Sequence, residues 1–273
     1  MVMTPHTYIP IHAGAALATL ACGVATAKPA QEYLWYRQPA LVATTPLPWG
    51  DGSAAAANVK GKPNKDPWES QTLPIGNGRI GGTIYGGDHL ERVILNEVSL
   101  WSGGPNLPGN GSGYEYGPLA KENAFGCYQP FGELDIEFAL PGKVEGYTRT
   151  LNLKNATAGV AFTCKGVKHT REAFVSGPDN VLVYTAKADR PGAVSAKIGL
   201  LPCHTATYSV SGNTISYHGT LANGERFAAS MLVRAKGGSC SASGDGGASV
   251  QVSYKNNDPN SADIAAPVYP AQG

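Results

Sequence analysis

The sequence predicts an all-β protein built as a large antiparallel sandwich, and three observations lead to that fold class. From Leu73 onward, short runs rich in Val, Ile, Thr, Tyr and Phe recur with Gly, Pro or Asn between them, which is typical of strands joined by turns. No amphipathic helical pattern of about twelve residues or more is evident. Glycine (35) and proline (20) are abundant without a collagen period, and 42% of the 273 residues are hydrophobic, so we expect one folded, turn-rich domain.

The N-terminus carries the pattern of a secretory signal. An apolar run, Ala13–Val24, is followed by Ala25-Thr-Ala27 before Lys28, which is an A-x-A-like cleavage site. The run is shorter than the ~20 apolar residues that a membrane-spanning helix needs. We therefore expect residues 1–27 to be a signal peptide and the protein to be secreted into the extracellular space. Leu20-Ala21-Cys22 is a weaker hint of a bacterial lipoprotein site.

Candidate strands follow one another at short intervals after this segment. The first is the apolar segment Glu32–Tyr36, whereas residues 41–66 lack periodicity and are predicted to be a loop. The remaining candidates, in chain order, are Arg79–Tyr85, Arg92–Leu95, Gly132–Ala139, Tyr147–Asn152, Ala158–Cys164, Val167–Val175, Val181–Ala188, Ala193–Leu200, Thr207–Val210, Thr214–His218, Phe227–Ala235 and Ser249–Tyr254.

The pattern within these segments also predicts the core and the end of the domain. In the candidate strand Ala193–Leu200, every second residue from Val194 is apolar, so Val194, Ala196, Ile198 and Leu200 share one buried face. Residues 237–248 are mostly Gly, Ser, Ala and Asp and predict a flexible loop. Residues 255–273 predict an irregular tail, so the expected domain covers residues 28–254.

One glycine-rich segment has two readings. Gly76–Gly81, GNGRIG, formally matches the dinucleotide-binding fingerprint, which works only where a strand ends and a helix begins. Here the β-prone residues Thr83–Tyr85 follow instead. Asn77-Gly78 between apolar residues favours a hairpin with a type I′ turn, which requires positive φ at both central positions.

Charge and motif composition exclude several function classes. The net charge is +1 and only 15% of residues are charged, so neither a nucleic acid nor an anionic membrane is the expected partner, and a neutral ligand fits better. The histidines show neither H-x-H nor H-E-x-x-H spacing, and no G-x-S-x-G is present. The sequence therefore gives no support for a metal site, a cofactor or a serine hydrolase.

Four cysteines remain once the signal is removed: Cys127, Cys164, Cys203 and Cys240. An even number suits an oxidising compartment, and their wide spacing lacks the C-x-x-C pair of zinc sites, so one or two disulfides are expected with three pairings open. Asn110-Gly-Ser and Asn155-Ala-Thr are N-glycosylation sequons, which have meaning only in a host that glycosylates secreted chains.

Three carboxylates lie on one face of a candidate strand. Glu133, Asp135 and Glu137 alternate with Leu134, Ile136 and Phe138. Neighbours two residues apart are ~6.6–7 Å from one another, which falls inside the ~6.5–9.5 Å separation of inverting glycosidases. Because catalytic carboxylates must flank the sugar from opposite sides, we interpret this pattern as a solvated sandwich face, with cation binding or an interface as the alternatives.

Asn96, Glu97 and Trp101 form the segment best suited to contact a sugar. Trp offers a flat apolar face to a pyranose ring, Asn and Glu offer hydrogen bonds, and the glycines that follow allow close approach of the backbone. The alternative is that Trp101 fills the core and Glu97 anchors a loop.

The chain resembles the N-terminal domain of family 95 glycoside hydrolases, the α-L-fucosidase type. The most specific blocks are Trp68–Gly87, WESQTLPIGNGRIGGTIYGG, and Leu95–Pro105, LNEVSLWSGGP. The resemblance continues through FGELDIEF from Phe131, GYTRTLNL from Gly146, ATAGV from Ala156, HTREAFVS from His169 and PDNVLV from Pro178. The likeness is clearest from Leu34 to Leu201 and weaker to Tyr254.

This resemblance implies a galactose-mutarotase-like β-super-sandwich that is joined, in the family, to an (α/α)6 barrel. In the family the barrel holds the machinery that hydrolyses terminal α-L-fucosides with inversion, and no residue of this chain matches that machinery. We therefore expect a non-catalytic N-terminal domain that packs against such a barrel, helps shape the pocket for a fucosylated glycan or oligosaccharide, and exposes an apolar patch without it. The alternatives are a free-standing carbohydrate-binding module and a structural surface protein without a ligand.

Overall fold

Strands make up most of the chain that the structure, a computed structural model, describes: residues 32–40, 67–103, 128–242 and the backbone of 249–253, 264–265 and 268–270. These residues belong to one unit that begins at Glu32. The one helix among them is α1 (Pro67–Gln71). The strands are β1 (Tyr33–Tyr36), β2 (Leu73–Gly76), β3 (Ile80–Ile84), β4 (Leu90–Glu97), β5 (Gly132–Phe138), β6 (Val144–Asn152), β7 (Thr157–Cys164), β8 (Val167–Ser176), β9 (Val181–Ala188), β10 (Ala196–Pro202), β11 (Ala206–Ser211), β12 (Thr214–Thr220), β13 (Arg226–Leu232), β14 (Arg234–Ala235), β15 (Ser239–Ala242), β16 (Ser249–Ser253), β17 (Ile264–Ala265) and β18 (Val268–Pro270).

The strands pair into two large sheets and one small one. The nine-stranded sheet has the order β1-β6-β7-β8-β9-β18-β13-β12-β11, and the seven-stranded sheet has the order β15-β16-β10-β5-β4-β3-β2. Strands β14 and β17 form a separate pair. Neighbouring strands run antiparallel throughout. The predicted all-β antiparallel sandwich is confirmed.

The core lies between the two large sheets and is built from alternate residues of their strands. In β10, Ala196, Ile198 and Leu200 are at most 1% exposed, and Val194 just before the strand is 3% exposed, as the alternation predicted. Burying one such Ile or Leu side chain stabilises the fold by ~1.5–3 kcal/mol. Other core side chains with at most 1% exposure come from both sheets: Val93, Leu95, Leu134, Ile136, Leu182, Ile215 and Met231.

Two segments that the sequence predicted as irregular contain strands. β15 lies in the predicted loop 237–248, and β17 and β18 lie in the predicted tail 255–273. β18 joins the two halves of the nine-stranded sheet, since Val268 pairs with Leu182 of β9 and with Met231 of β13. β17 and β18 are too short to show alternation in the sequence. They are ordered by pairing with strands that lie far away along the chain.

The glycine-rich segment forms a hairpin, as predicted, but with a different turn. β2 and β3 pair from Leu73↔Ile84 to Gly76↔Gly81. Of the two residues predicted at the centre of the turn, Gly78 has positive φ (92°) and Asn77 does not, so the predicted type I′ turn is wrong. The chain closes around Gly78 and Arg79 instead, since the N–H of Asn77 donates to the carbonyl of Ile80 at 3.2 Å. The Asn77 side chain stabilises the turn instead, since its Oδ1 accepts hydrogen bonds from the N–H groups of Arg79 (2.9 Å) and Ile80 (2.8 Å).

The carboxylates of β5 are in part buried, which corrects the interpretation of a solvated face. Glu133 is 1% exposed and lies 3.1 Å from Nε of Arg92, itself 2% exposed, in the neighbouring strand β4. Asp135 receives two hydrogen bonds from the same guanidinium, at 2.8 and 2.7 Å. Glu137 is exposed, as expected. The solvated-face reading failed because it overlooked the arginine that pairs with Asp135 across the sheet.

Three of the four cysteines expected to form disulfides, Cys164, Cys203 and Cys240, are free thiols in the structure. Cys203 follows β10 and Cys240 lies in β15, with β16 between them, so ~9–10 Å separates their strands, too far for a disulfide. The thiol of Cys164 donates to the carbonyl of Gly142 instead, at 3.4 Å.

Several predictions fall on residues outside the described ranges. These are the signal peptide, the sequon at Asn110, Cys127 and the whole loop 41–66. The described helix, α1, is too short to cross a membrane.

Candidate functional site

The candidate site begins where β4 ends at one rim of the sandwich. The last two residues of β4, Asn96 and Glu97, pair with Gly81 and Ile80 of β3. The chain then turns sharply, since Val98 N–H donates to the carbonyl of Arg79 at 2.9 Å. The sequence-predicted residues Asn96, Glu97 and Trp101 are therefore brought together by one strand end and its turn.

Glu97 anchors this turn, as the alternative interpretation proposed. Its side chain is 6% exposed. One carboxylate oxygen accepts hydrogen bonds from the N–H (2.9 Å) and the hydroxyl (2.5 Å) of Ser99, and the other accepts from Nε of Arg79 at 3.2 Å. These contacts hold the residues after Glu97 in one conformation, which fixes the direction in which Trp101 leaves the sheet.

Trp101 is exposed and does not fill the core. Its side chain is 48% exposed, and its ring lies 5.8 Å from the ring of Tyr128 at an angle of 71°. The indole N–H donates to the carbonyl of Val98 at 2.9 Å, so the polar edge of Trp101 is satisfied while its faces stay available. We call the two rings of Trp101 and Tyr128 the aromatic corner.

Tyr128 is held in this corner by the residues of the β4 end. A β-bridge pairs its backbone with that of Trp101, and its hydroxyl donates to Oδ1 of Asn96 at 3.3 Å. Burial, and to a smaller extent the negative charge of Glu97, raise the pKa of Tyr128. The phenol therefore stays protonated at neutral pH and keeps its hydrogen-bond donor.

A residue from a turn of the opposite sheet holds the aromatic corner in place through hydrogen bonds. Asn223 lies in the turn between β12 and β13, and its amide donates to the carbonyls of Trp101 (3.0 Å) and Gly103 (2.9 Å). Its own Oδ1 accepts from the N–H of Glu225 at 3.1 Å. The position of the indole is thus set by both sheets, and sequence reasoning found neither Asn223 nor Tyr128, because their roles come from contacts 122 and 32 residues away.

Beside the corner lies a shallow cleft of about 30 Å³. Its charged side chains are two arginines, Arg79 and Arg226, and two glutamates, Glu97 and Glu225, so its formal charge is balanced. It is far smaller than the roughly 300–1,000 Å³ of a pocket that encloses a small molecule. The other lining residues are Ser99, Leu100, Phe131, Phe227 and Ala228.

The edge strand β1 forms a second exposed apolar surface. Tyr33, Leu34, Trp35 and Tyr36 are between 41% and 50% exposed, and Leu153 beside the start of the strand is 60% exposed. Among the described strands, β1 pairs only with β6 and is the last strand of its sheet. We call these five residues the β1 edge.

A buried polar network between the sheets contains Glu91, whose pKa lies well above the ordinary value of a carboxyl group. Glu91 is fully buried, and burial raises its pKa from 4.5 to about 7, although the nearby charge of Arg171 opposes the shift. Its carboxyl receives hydrogen bonds from the N–H of Gly86 (2.8 Å) and the hydroxyl of Tyr184 (3.1 Å). A group with no exposed surface cannot reach a substrate, so we assign Glu91 a structural role.

In the described part of the chain, no cluster of three or more His, Cys, Asp or Glu side chains is arranged to hold a metal ion.

The sequon at Asn155 lies in an exposed turn between β6 and β7, followed by Ala156 with a φ of 53°.

Comparisons with known proteins match this chain to glycoside hydrolases. The family model described as "Glycosyl hydrolase family 65, N-terminal domain" matches residues 34–115 and 106–265. "Alpha-L-fucosidase 2" of Arabidopsis thaliana is 31% identical over 151 residues, which are 47% of this chain and 18% of that protein. "Probable alpha-fucosidase A" of Aspergillus niger is 31% identical over 182 residues, which are 57% of this chain and 23% of that protein.

A solved structure described as a putative kojibiose phosphorylase from the human microbiome covers 72% of this chain and 29% of its own, with a TM-score of 0.42 and 13% identity. The chain therefore spans less than a third of the length of each of these relatives.

Proposed function

Because the chain belongs to the family described as glycosyl hydrolase family 65, N-terminal domain, we propose that it is the non-catalytic N-terminal domain of a secreted hydrolase of the α-L-fucosidase type. The relationship indicated by the sequence blocks from Trp68 and Leu95 is confirmed by this match and by the two fucosidases. In this proposal the domain is inactive alone and contributes one wall of a pocket for a fucosylated glycan.

The exposed aromatic corner carries the proposal for substrate contact. Trp101 is 48% exposed although its turn is tightly fixed by Glu97 and Asn223. A large aromatic side chain held rigidly at the surface loses little conformational entropy on binding, which suits recognition of a sugar face. The proposed substrate-binding residues are therefore Asn96 and Trp101, with Glu97 as the residue that positions their turn.

The β1 edge supports the proposal for a partner domain. An exposed edge strand with two tyrosines, a leucine and a tryptophan is a surface that proteins ordinarily cover. We propose that the catalytic (α/α)6 barrel packs against this edge, since the fucosidase relatives are more than four times as long as the segment they share with this chain.

Hydrolysis of an aryl α-L-fucoside tests this function. The purified chain alone is expected to release no aryl alcohol, and a separately expressed catalytic barrel of a related enzyme is expected to be more active when the chain is added. Trp35→Lys in the β1 edge should abolish this gain by weakening docking, whereas Trp101→Ala should preserve docking and raise KM.

Two results would contradict the proposal. Activity of the chain alone would show that it carries its own catalytic groups, and the carboxylates Glu97 and Glu225 of the cleft would then be the first to replace. If adding the chain changes neither the activity of the barrel nor the mass of the barrel species in solution, the supporting role is excluded.

A free-standing carbohydrate-binding module is the alternative. It is favoured by the construction of the aromatic corner entirely from residues of this chain.

A further inference from the structure

The corner and the cleft are built from the same short stretch of chain. Asn96 and Trp101 border the corner, while Glu97, Ser99 and Leu100, between them in sequence, line the cleft. The opposite sheet contributes to both, because the turn that carries Asn223 continues into Glu225 and Arg226 at the cleft wall. The two features are therefore parts of one surface.

The chemistry of this surface selects its ligand. The two rings meet at 71°, so a flat apolar ring face can lie on one while its edge touches the other. Next to them, two guanidinium and two carboxylate groups offer donors and acceptors with no net charge. A ligand with an apolar face and several hydroxyl groups gains from both, whereas an anion or a cation is attracted by one pair of charged groups and repelled by the other.

The size of the surface argues against a protein occupant. Two aromatic rings and the neighbouring exposed Val98 form a small apolar area with a polar border, whereas a stable protein interface buries about 800 Å² on each partner. The shallow cleft likewise accommodates hydroxyl groups and ordered water better than a side chain.

The geometry points to a subsite on this chain that binds one neutral pyranose ring, stacked in the aromatic corner of Trp101 and Tyr128 with hydroxyl groups directed at the Arg79–Glu97 cleft. This inference rests on the proposed function for the class of ligand. It goes further in that the subsite is complete without a second domain, and in that Tyr128 is a contact residue and Asn223 a positioning residue.

The test is a titration of the purified full chain with methyl α-L-fucopyranoside, followed by saturation-transfer NMR and by Trp fluorescence. Saturable binding is expected, with Trp101→Ala and Tyr128→Ala each lowering affinity about three- to tenfold. Trp35→Ala is the matched control, since Trp35 is 49% exposed and lies in the β1 edge, and it should leave the affinity unchanged. Asn223→Ala should lower the affinity without lowering the melting temperature of the core.

Charged ligands complete the test. Glucuronate and glucosamine should bind more weakly than a neutral methyl glucoside, because the cleft carries both signs of charge. Absence of saturable binding by the chain, tighter binding of a charged sugar, or equal losses in Trp101→Ala and Trp35→Ala would overturn the inference. If the chain fails to bind sugar yet still raises the activity of the barrel, the subsite is wrong and the proposed domain function stands.

Discussion

At the scale of single residues, Glu91 shows how burial competes with charge. The group lies between the sheets, and the charged or titratable side chains around it come from three strands of the opposite sheet, β6, β8 and β9. Arg171 of β8 donates to the carbonyls of Gly87 and Asp88, and Tyr147 of β6 donates to the carbonyl of Gly86. Tyr184 of β9 and Arg149 of β6 complete the set. The cost of removing a carboxylate from water outweighs the attraction of Arg171, which is why the pKa of Glu91 rises to about 7.

This shift predicts a pH dependence of stability. The folded state binds the proton of Glu91 more tightly than the unfolded state does, because the pKa is about 7 when folded and 4.5 when exposed. The stabilisation is complete below pH 4.5 and is lost as the pH rises to about 7, by at most about 3 kcal/mol. Glu91→Gln should remove this contribution, so the stability difference between the two proteins should change between pH 4.5 and 7.5 and stay constant above.

Denaturant unfolding of both proteins at several pH values measures this difference. Comparing the two proteins cancels the contributions of groups that both proteins share. A stability difference that is independent of pH would show that folding does not raise the pKa of Glu91.

At the scale of elements, the connection from β3 to β4 depends on glycines that the sequence blocks already contained. Gly86 has a φ of 71°, and a Cβ on Gly87 would lie 1.7 Å from the carbonyl oxygen of Leu90. That contact is with backbone, so no side-chain rotation relieves it. The connection can therefore keep its tight path, and its hydrogen bonds to Arg171, only with glycine at position 87.

Gly87→Ala should accordingly be strongly destabilising, by ~1–3 kcal/mol or more, since the chain must shift to admit the methyl group. Gly177→Ala is the matched control, because a Cβ on Gly177 meets nothing within 4 Å and its φ is not in the left-handed region. The measurement is the melting midpoint of each variant by circular dichroism. Equal midpoints for the two variants would show that the connection rearranges freely.

Sequence patterns predicted those elements that are specified by their own residues, and missed those that depend on partners far along the chain. β9 was predicted with its observed bounds, Val181–Ala188, because a run of apolar and β-prone residues lies there between clear turns. β18 was not predicted, since three residues ending in Pro270 carry no pattern and are ordered by β9 and β13. The same distinction holds for the site: Asn96 and Trp101 lie in one recognisable segment, whereas Asn223 reaches Trp101 from another sheet.

At the scale of the whole molecule, the sandwich buries its core well but leaves one edge apolar. Core residues such as Ile198, Leu200 and Ile215 have no exposed surface, so the fold does not need a second domain to cover them. Trp35 and its neighbours in β1 gain little from burial within the chain. The arginines nearby, Arg37 and Arg149, lie 5.5 and 4.5 Å from the rings of Trp35 and Tyr36 and cover these in part only.

The β1 edge therefore predicts how the isolated chain behaves in solution. An apolar edge strand with no partner domain favours association between copies, and lysine on an edge is an effective block against such pairing. We expect the wild-type chain to associate as its concentration rises, as measured by light scattering, and Trp35→Lys to remain monomeric with an unchanged melting temperature. Trp101→Lys changes an equally exposed tryptophan in the aromatic corner, and this variant should associate as the wild type does. If Trp101→Lys and not Trp35→Lys prevented association, the aromatic corner would be the docking surface and the assignment of the two exposed regions would have to be exchanged.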